Sequence, residues 1–246
     1  MISIEGITKK YGRLTAVDGL TIRVRPGEIY GFLGPNGAGK TTTIKIITGL
    51  LKPTSGRIMV AGRDAVLDPA GARAVTGYIS DEPHPYERLT GREFLLTMAS
   101  LYGVTGAERE RRVAAGLDLF GLDRWADELT ESYSHGMKQK LMVASALLHE
   151  PRAIVADEPL VGLDPASAHR LREHFRDLAD RGRTILLATH ILEIAERMCD
   201  RVGIIMGGRL IAEGSMAELK AGSGDASLED VFLALTGPEG PAGEGR

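Results

Sequence analysis

Eight residues decide the fold of this chain: Gly34-Pro35-Asn36-Gly37-Ala38-Gly39-Lys40-Thr41. This stretch, called the phosphate loop below, fits the pattern G-x-x-x-x-G-K-[ST] and lies between the apolar, strand-like residues 28–33 and the helix-favouring residues 42–47. Glycines let the backbone curl so that successive N–H groups point inward, and the next helix adds its positive N-terminal end. The stretch therefore predicts nucleotide binding. The alternative is a glycine-rich turn that fits the pattern by chance.

The end of the phosphate loop predicts individual roles for its side chains. We expect Lys40 to reach the β- and γ-phosphates and the hydroxyl of Thr41 to bind Mg²⁺. Thr42 and the backbone of residues 34–41 are expected to supply the remaining phosphate contacts.

The composition excludes several classes of protein. The chain has 246 residues, of which 43% are apolar, enough for one large core or two small ones. A net charge of −3 gives no basic field, so we expect no nucleic acid partner. The only cysteine, Cys199, allows neither an internal disulfide nor a cysteine-based metal cluster and is expected in the core. Without an apolar run of about 18 residues or a signal peptide, we expect a cytoplasmic protein that reaches a membrane only through a partner.

Patterning along the chain predicts an α/β fold with a parallel sheet covered on both faces. Residues 91–150 are helical in pattern, and strands alternate with helices after Pro151. The predicted strands are 2–7, 20–25, 57–61, 76–79, 153–156, 184–188 and 201–206, and the predicted later helices are 166–180, 190–198 and 227–236. We expect residues 1–236 to form one domain with a helical insert at about 86–150, and residues 237–246 to form a disordered tail rich in Gly, Pro and Glu.

Two further strand ends carry side chains suited to hydrolysis. The apolar strand 153–156 is followed by Asp157, predicted to hold Mg²⁺, and Glu158, predicted to orient and deprotonate the attacking water. The strand 184–188 is followed by Thr189 and His190. A histidine at a strand end is often structural, but this strand should end at the same sheet edge as the phosphate loop. We therefore expect His190 to contact the γ-phosphate or the water.

The order of these motifs over residues 2–235 resembles the ATP-binding subunit of ABC transporters. The segment Tyr133-Ser134-His135-Gly136-Met137, the signature segment below, is similar to the family's L-S-G-G-Q motif, and Val161-Gly162-Leu163-Asp164 is similar to its D-loop. The resemblance implies a P-loop NTPase core with an N-terminal antiparallel β subdomain, ATP as substrate and Mg²⁺ as cofactor. It also implies that Tyr11 stacks on adenine, that Asp164 lies at the nucleotide and that His190 is the switch histidine.

The same resemblance implies two partners. In the family, the signature segment caps the nucleotide of a second subunit, so Ser134 and Gly136 would act in trans in a homodimer that encloses two ATP molecules. Such a dimer drives an integral-membrane permease, which would hold this subunit at the inner face of the cell membrane. The helix at 227–236 resembles the terminal helix of the drug-resistance and lipid exporter branch.

The chain departs from the family pattern at two positions. His135 replaces the first signature glycine and either donates to phosphate or ribose or points away. Asp81 stands where the family has glutamine or glutamate, a residue that touches Mg²⁺ and lines the hinge to the helical insert. Either Asp81 reaches the metal through a water, or Glu82 replaces it.

Two other functions fit the same motifs. One is a soluble ABC ATPase without a membrane partner, for example in iron–sulfur assembly. The other is a regulatory nucleotide-binding module that never turns over, which the presence of Glu158 disfavours.

Overall fold

The strands of the protein belong to two sheets. The computed structural model describes residues 1–221 and 227–236. Within them the strands are β1 (Ile2–Tyr11), β2 (Leu14–Val24), β3 (Ile29–Leu33), β4 (Ser55–Val60), β5 (Arg63–Asp64), β6 (Thr76–Ile79), β7 (Ala153–Asp157), β8 (Thr184–Thr189), β9 (Arg201–Met206) and β10 (Arg209–Ser215).

The helices connect and cover these strands. They are α1 (Lys40–Ile47), α2 (Pro69–Ala74), α3 (Gly91–Leu101), α4 (Gly106–Leu119), α5 (His135–Leu147), α6 (Pro165–Asp180), α7 (Leu192–Met198), α8 (Met216–Lys220) and α9 (Leu228–Thr236). None of the helices in the described ranges is long and apolar enough to cross a bilayer.

The larger sheet forms the centre of the fold. Its strand order is β10-β9-β3-β8-β7-β6, in which β9 to β6 run parallel and β10 pairs antiparallel at one edge. Every residue of β3, β7 and β8 is buried, as expected for parallel strands with helices on both faces. The predicted α/β fold with a parallel core is confirmed.

Alternate residues of the central strands build two hydrophobic cores, one on each face of the sheet. One core joins the sheet to α3, α4 and α5 and includes the strand residues Ile29, Leu33, Ile154, Ala156, Ile185 and Leu187. The other joins it to the smaller sheet and α1 and includes Tyr30, Phe32, Ala153, Val155, Leu186 and Ala188.

The smaller sheet is antiparallel, with strand order β2-β1-β4-β5. It confirms the N-terminal β subdomain that the family resemblance implies. Its hairpin is longer than predicted, because pairing continues through bulges after Ile4 and Ile7 although the side chains become exposed. Tyr11 therefore ends β1 opposite Leu14 and does not lie in a loop between the strands.

Several polar elements were missed by hydrophobic patterning. The edge strand β10 and the short helices α2 and α8 have few buried residues, so alternation and helical periodicity are weak there. The predicted helix near the C-terminus is present as α9, and Cys199 is buried as predicted. The predicted tail, residues 237–246, lies outside the described residues.

Candidate active site

The phosphate loop is curled because its glycines take conformations and positions that other residues would resist. Gly37 and Gly39 have φ angles of 80° and 108°, in the left-handed region. A Cβ at Gly34 would collide with the carbonyl oxygen of Ile205, and one at Gly39 would lie 2.6 Å from that of Ala16. A Cβ at Gly37 would meet no atom within 4 Å, so the outer part of the loop is open. The loop is thus fixed against β9 and β2 at its ends and free at its tip.

The N-terminus of α1 faces this loop without a side-chain cap. Gly39 is the N-cap residue and offers no capping side chain, so the first N–H groups of the helix are available to an anion. The ammonium of Lys40 donates to the carbonyl oxygens of Gly34 at 2.6 Å and Pro35 at 3.2 Å. Burial lowers the pKa of Lys40 from its ordinary value. The other loop residues differ in exposure: Asn36 is exposed, Thr42 is half-buried and Ala38 is buried.

Acidic side chains meet the loop because β7 and β3 are parallel and end at the same sheet edge. The hydroxyl of Thr41 donates to Oδ2 of Asp157 over 3.3 Å. Burial raises the pKa of Asp157 to about 6, and the charges of Asp81 and Glu158 raise it further, whereas Thr41 and Lys40 oppose the shift. Carboxylate and hydroxyl oxygens are suitable ligands for Mg²⁺, and a bound cation would relieve the repulsion among these carboxylates.

Asp81 and Glu82 point to different surroundings. Burial raises the pKa of Tyr78 to about 12, and the charges of Asp157 and Asp81 contribute to the rise. Asp81 therefore lies within electrostatic range of both residues. The carboxylate of Glu82 lies instead 3.2 Å from Nε2 of His84 at the surface. Of the two alternatives that the sequence left open, Asp81 is therefore the acid whose charge acts on Asp157.

Glu158 is held on both carboxylate oxygens. Oε1 accepts from the backbone N–H of His190 at 2.8 Å and contacts its Nδ1 at 2.6 Å. Oε2 accepts from the hydroxyl of Thr189 at 2.7 Å. Glu158 has a φ of 49°, a left-handed conformation that is costly for a non-glycine residue and that it shares with Ala61 and Glu150 among the described residues. The sequence reading assigned no role to Thr189, although a hydroxyl residue between a buried strand and His190 was a signal for one.

The signature segment packs against the D-loop of the same chain. Ser134 caps α5, accepting from the N–H of Met137 at 3.3 Å. A Cβ at Gly136 would lie 2.6 Å from the carbonyl oxygen of Gly162, and a Cβ at Gly162 would lie 2.5 Å from the ring of His135. The side chain of His135 is therefore packed over Gly162. In the described residues, no hydrogen bond joins Ser134 to the phosphate loop.

Asp164 connects the D-loop to α5 and α6. It caps α6 by accepting from the N–H of Ser167 at 2.9 Å, and its carboxylate lies 2.7 Å from Nζ of Lys140 in α5. The hydrogen bond from Lys140 holds the pKa of Asp164 well below its usual range, and the bonds from Ser167 add to this effect.

Tyr11 lies away from these contacts at the end of the hairpin. Its side chain is 48% exposed, and the ammonium of Lys9 lies 5.0 Å from its ring centroid. An exposed ring in this setting can stack on a flat partner.

Comparison with known proteins agrees with the geometry. A family model described as ABC transporter matches residues 17–161, which include the phosphate loop, the signature segment and Glu158. The linearmycin resistance ATP-binding protein LnrL of Bacillus subtilis is 39% identical over 236 residues, which are 96% of this chain and 75% of LnrL.

Solved structures extend the agreement to the fold. The structure of an ATP-binding subunit of an ABC transporter is 38% identical and has a TM-score of 0.91, covering 96% of this chain and 99% of that one. A dimeric ATP-binding cassette in a post-hydrolysis state with ADP and Pi is 25% identical, with a TM-score of 0.80 and coverage of 87% and 98%. The chain belongs to the ABC transporter family, as an ATP-binding subunit.

Proposed function

We propose that this subunit hydrolyses ATP in a Mg²⁺-dependent reaction at the sheet edge formed by the ends of β3, β7 and β8. The observation that carries the proposal is the double anchoring of Glu158 by Thr189 and His190 beside the phosphate loop. A module that only binds nucleotide has no need of a carboxylate oriented in this way.

The residues of the chain divide the chemical work. The backbone of residues 34–42 binds the phosphates, and Lys40 exchanges its carbonyl acceptors for the β- and γ-phosphate oxygens. Glu158 accepts the proton of the attacking water, and His190 keeps its carboxylate in place and contacts the γ-phosphate side. Thr41, Asp157 and Asp81 would hold Mg²⁺, which neutralises charge on the β- and γ-phosphates when bound.

A second copy of the chain completes each site in the proposed mechanism. Ser134, Gly136 and the first N–H groups of α5 approach the γ-phosphate held by the other copy, and Asp164 lies at the same junction. Tyr11 stacks on the adenine. ATP joins the two copies, and loss of the γ-phosphate releases them, so that hydrolysis drives a rigid-body motion. The similarity to a dimeric cassette supports this arrangement.

The partner of this dimer is an integral-membrane permease, and the place of the subunit is the cytoplasmic face of the membrane that holds the permease. The name of LnrL, a resistance protein, supports an exporter and not a soluble role such as iron–sulfur assembly. Residues 1–236 would act as one ATPase unit, in which the helical insert at 86–150 receives the permease.

The variant Glu158→Gln tests the chemistry. Since it keeps the shape of the side chain but removes the base, we expect ATP to bind with similar affinity and hydrolysis to fall about 10²–10⁴-fold. Single-turnover ATPase assays and ATP titrations measure the two quantities separately. The matched control is Glu173→Gln, an exposed carboxylate on α6, which should leave both unchanged. Normal hydrolysis by Glu158→Gln would rule out Glu158 as the base.

A further inference from the structure

Two adjoining pockets lie at the amino-terminal ends of the parallel strands, on the side of the sheet opposite the phosphate loop. The first, of about 440 Å³, is a cleft between α4 of the helical insert and the C-terminal end of α6. The second, of about 350 Å³, lies where Arg152 and Arg183 precede β7 and β8. Both pockets are lined by Arg181 and Arg183, so these two side chains stand at their junction.

The two pockets differ in chemistry. The first has a mainly apolar wall, whose largest members are Leu119, Leu147, Leu148, Ile154 and Leu178. The second is lined by Arg152, Arg181 and Arg183 and by no acidic residue. The first pocket, whose lining also includes Asp118 and Glu150, thus opens onto a group of three arginines, in a chain whose net charge is −3.

The charge at the junction is only partly neutralised by the protein. Arg181 pairs with Asp177 at 3.0 Å on the surface. Within residues 1–221 and 227–236, the side chains of Arg152 and Arg183 form neither a hydrogen bond nor an ion pair. By contrast, Arg112, which also lines the first pocket, is paired with Glu108 and with Glu150. The unpaired guanidinium groups are therefore found at the junction and in the second pocket.

A glycine keeps the first pocket open. Gly116 lies inside α4, where glycine is less favourable than alanine. A Cβ at this position would lie 3.5 Å from the Cβ of Ala144, an ordinary contact, so the packing does not require glycine. Gly116 lines the first pocket, so a larger side chain at this position would fill part of that pocket.

We propose that the two pockets bind a small amphipathic anion with a single hydrocarbon chain, whose chain occupies the first pocket and whose carboxylate or phosphate head binds Arg183 and Arg181. A pocket of this volume is in the range that accepts small ligands, and an apolar wall with a few convergent polar groups is their usual setting. Guanidinium groups bind carboxylate and phosphate through paired hydrogen bonds. The ligand touches α4 and α6 together, so it connects the helical insert to the core.

The direct test is calorimetric titration of the full, nucleotide-free chain with dodecanoate and with dodecyl phosphate, both kept below the concentration at which they form micelles. One molecule of the amphiphile should bind per chain, and the tighter of the two identifies the preferred head. Dodecyl maltoside is neutral, and inorganic phosphate has no hydrocarbon chain. The affinity of the protein for each of them should be lower by about tenfold or more.

Two variants remove the two halves of the site. Arg183→Gln removes a head contact and Gly116→Leu fills the apolar cleft, and each should weaken binding about tenfold or more. The matched controls are Arg172→Gln on α6 and Ala114→Leu on α4, which line neither pocket and should stay within about twofold of the wild type. Unchanged ATPase activity shows that a variant is folded, and Ala115→Leu, which also fills the apolar cleft, serves if Gly116→Leu is not.

Three results would each overturn the inference. The first is an absence of saturable binding by either amphiphile. The second is binding that Arg183→Gln and the cleft variant leave unchanged. The third is equal affinity for dodecyl phosphate and inorganic phosphate, or for the anions and the neutral detergent.

Discussion

Glu158 is oriented before any substrate arrives, because both of its oxygens already have donors. The donor on Oε2 is Thr189, a side chain that is 1% exposed and whose hydroxyl also accepts from the N–H of Ile191 at 3.1 Å. The donor on Oε1 is the backbone of His190. A hydrogen bond to a charged group contributes about 1.5–3 kcal/mol, so Thr189 has a measurable part in fixing the base.

Thr189→Val should therefore lower kcat about tenfold while the Kd for ATP stays nearly unchanged, because the hydroxyl orients Glu158 and is proposed to touch no nucleotide. Thr189→Ser, which keeps the hydroxyl, should restore most of the rate. Steady-state ATPase assays and ATP titrations separate the two effects. A wild-type rate in Thr189→Val together with a loss in Thr189→Ser would show that the methyl packing of Thr189, and not its hydroxyl, matters.

Asp157 costs stability in the protein without nucleotide or metal. Its pKa is raised from 3.8 to about 6, chiefly by burial, so the folded state favours the protonated acid. The protonated carboxyl lowers no stability, so the stability that depends on this group is fully present below about pH 4. That stability is lost as the pH rises through about 6 and the buried carboxyl becomes charged.

Asp157→Asn should for that reason stabilise the protein against urea at pH 8 by up to about 3 kcal/mol, given about 1.4 kcal/mol for each of two pKa units. The difference should vanish near pH 4. Both proteins are unfolded in EDTA without nucleotide. A variant less stable than the wild type at pH 8 would show that the charge of Asp157 is already compensated.

Side chains within a motif were predictable, and those that depend on distant contacts were not. Lys40, Thr41 and Asp157 follow from local patterns whose chemistry fixes their place. Thr189 meets Glu158 from 31 residues away, across two neighbouring strands, and no local pattern reports that contact. The packing of His135 over Gly162 likewise depends on how α5 meets the loop after β7.

At the scale of elements, α5 and the D-loop pack tightly against each other. Three contacts connect them. The ring of His135 lies over Gly162, and Gly136 closely approaches the carbonyl group of Gly162. Lys140 forms an ion pair with Asp164. Since α5 is proposed to face the partner's nucleotide, these contacts would transmit a displacement of α5 to the loop that follows Glu158.

A double-mutant cycle tests the contact between these elements. Gly162→Ala meets two obstacles, a φ of 79° and the ring of His135, and should cost about 2–3 kcal/mol. In a His135→Gly background only the backbone cost of about 1 kcal/mol remains, so the coupling energy should be about 1–2 kcal/mol. Urea unfolding of the four proteins measures it. Additive effects would show that the imidazole does not press on Gly162.

Elements buried on both sides were predicted best. The strands β3, β7 and β8 have no exposed residue, so their apolar runs are unbroken and visible in the sequence. The edge strand β10 has one buried residue among seven, and its pairing with β9 follows from a tight turn rather than from an apolar pattern. Such a strand is stabilised by backbone hydrogen bonds that side-chain patterning does not report.

In the molecule as a whole, the two ends of the parallel strands have different chemistry. The carboxyl ends carry the phosphate loop and the acids beside it, and the amino ends carry the arginine-lined pockets. The signature segment, at the start of α5, packs against the D-loop of its own chain, and in the proposed mechanism each chain holds one half of each of two sites. Two chains placed head to tail would complete both.

The mass of the Glu158→Gln variant in solution tests this central claim most directly. By light scattering after gel filtration it should have the mass of one chain, 26.4 kDa, without nucleotide and twice that mass with Mg-ATP. Adding Ser134→Glu should prevent the dimer by placing a negative charge at the partner's γ-phosphate, whereas Ser132→Glu, exposed two residues earlier, should not. A Ser134→Glu protein that dimerises with ATP as fully as its Ser132→Glu control would contradict the account.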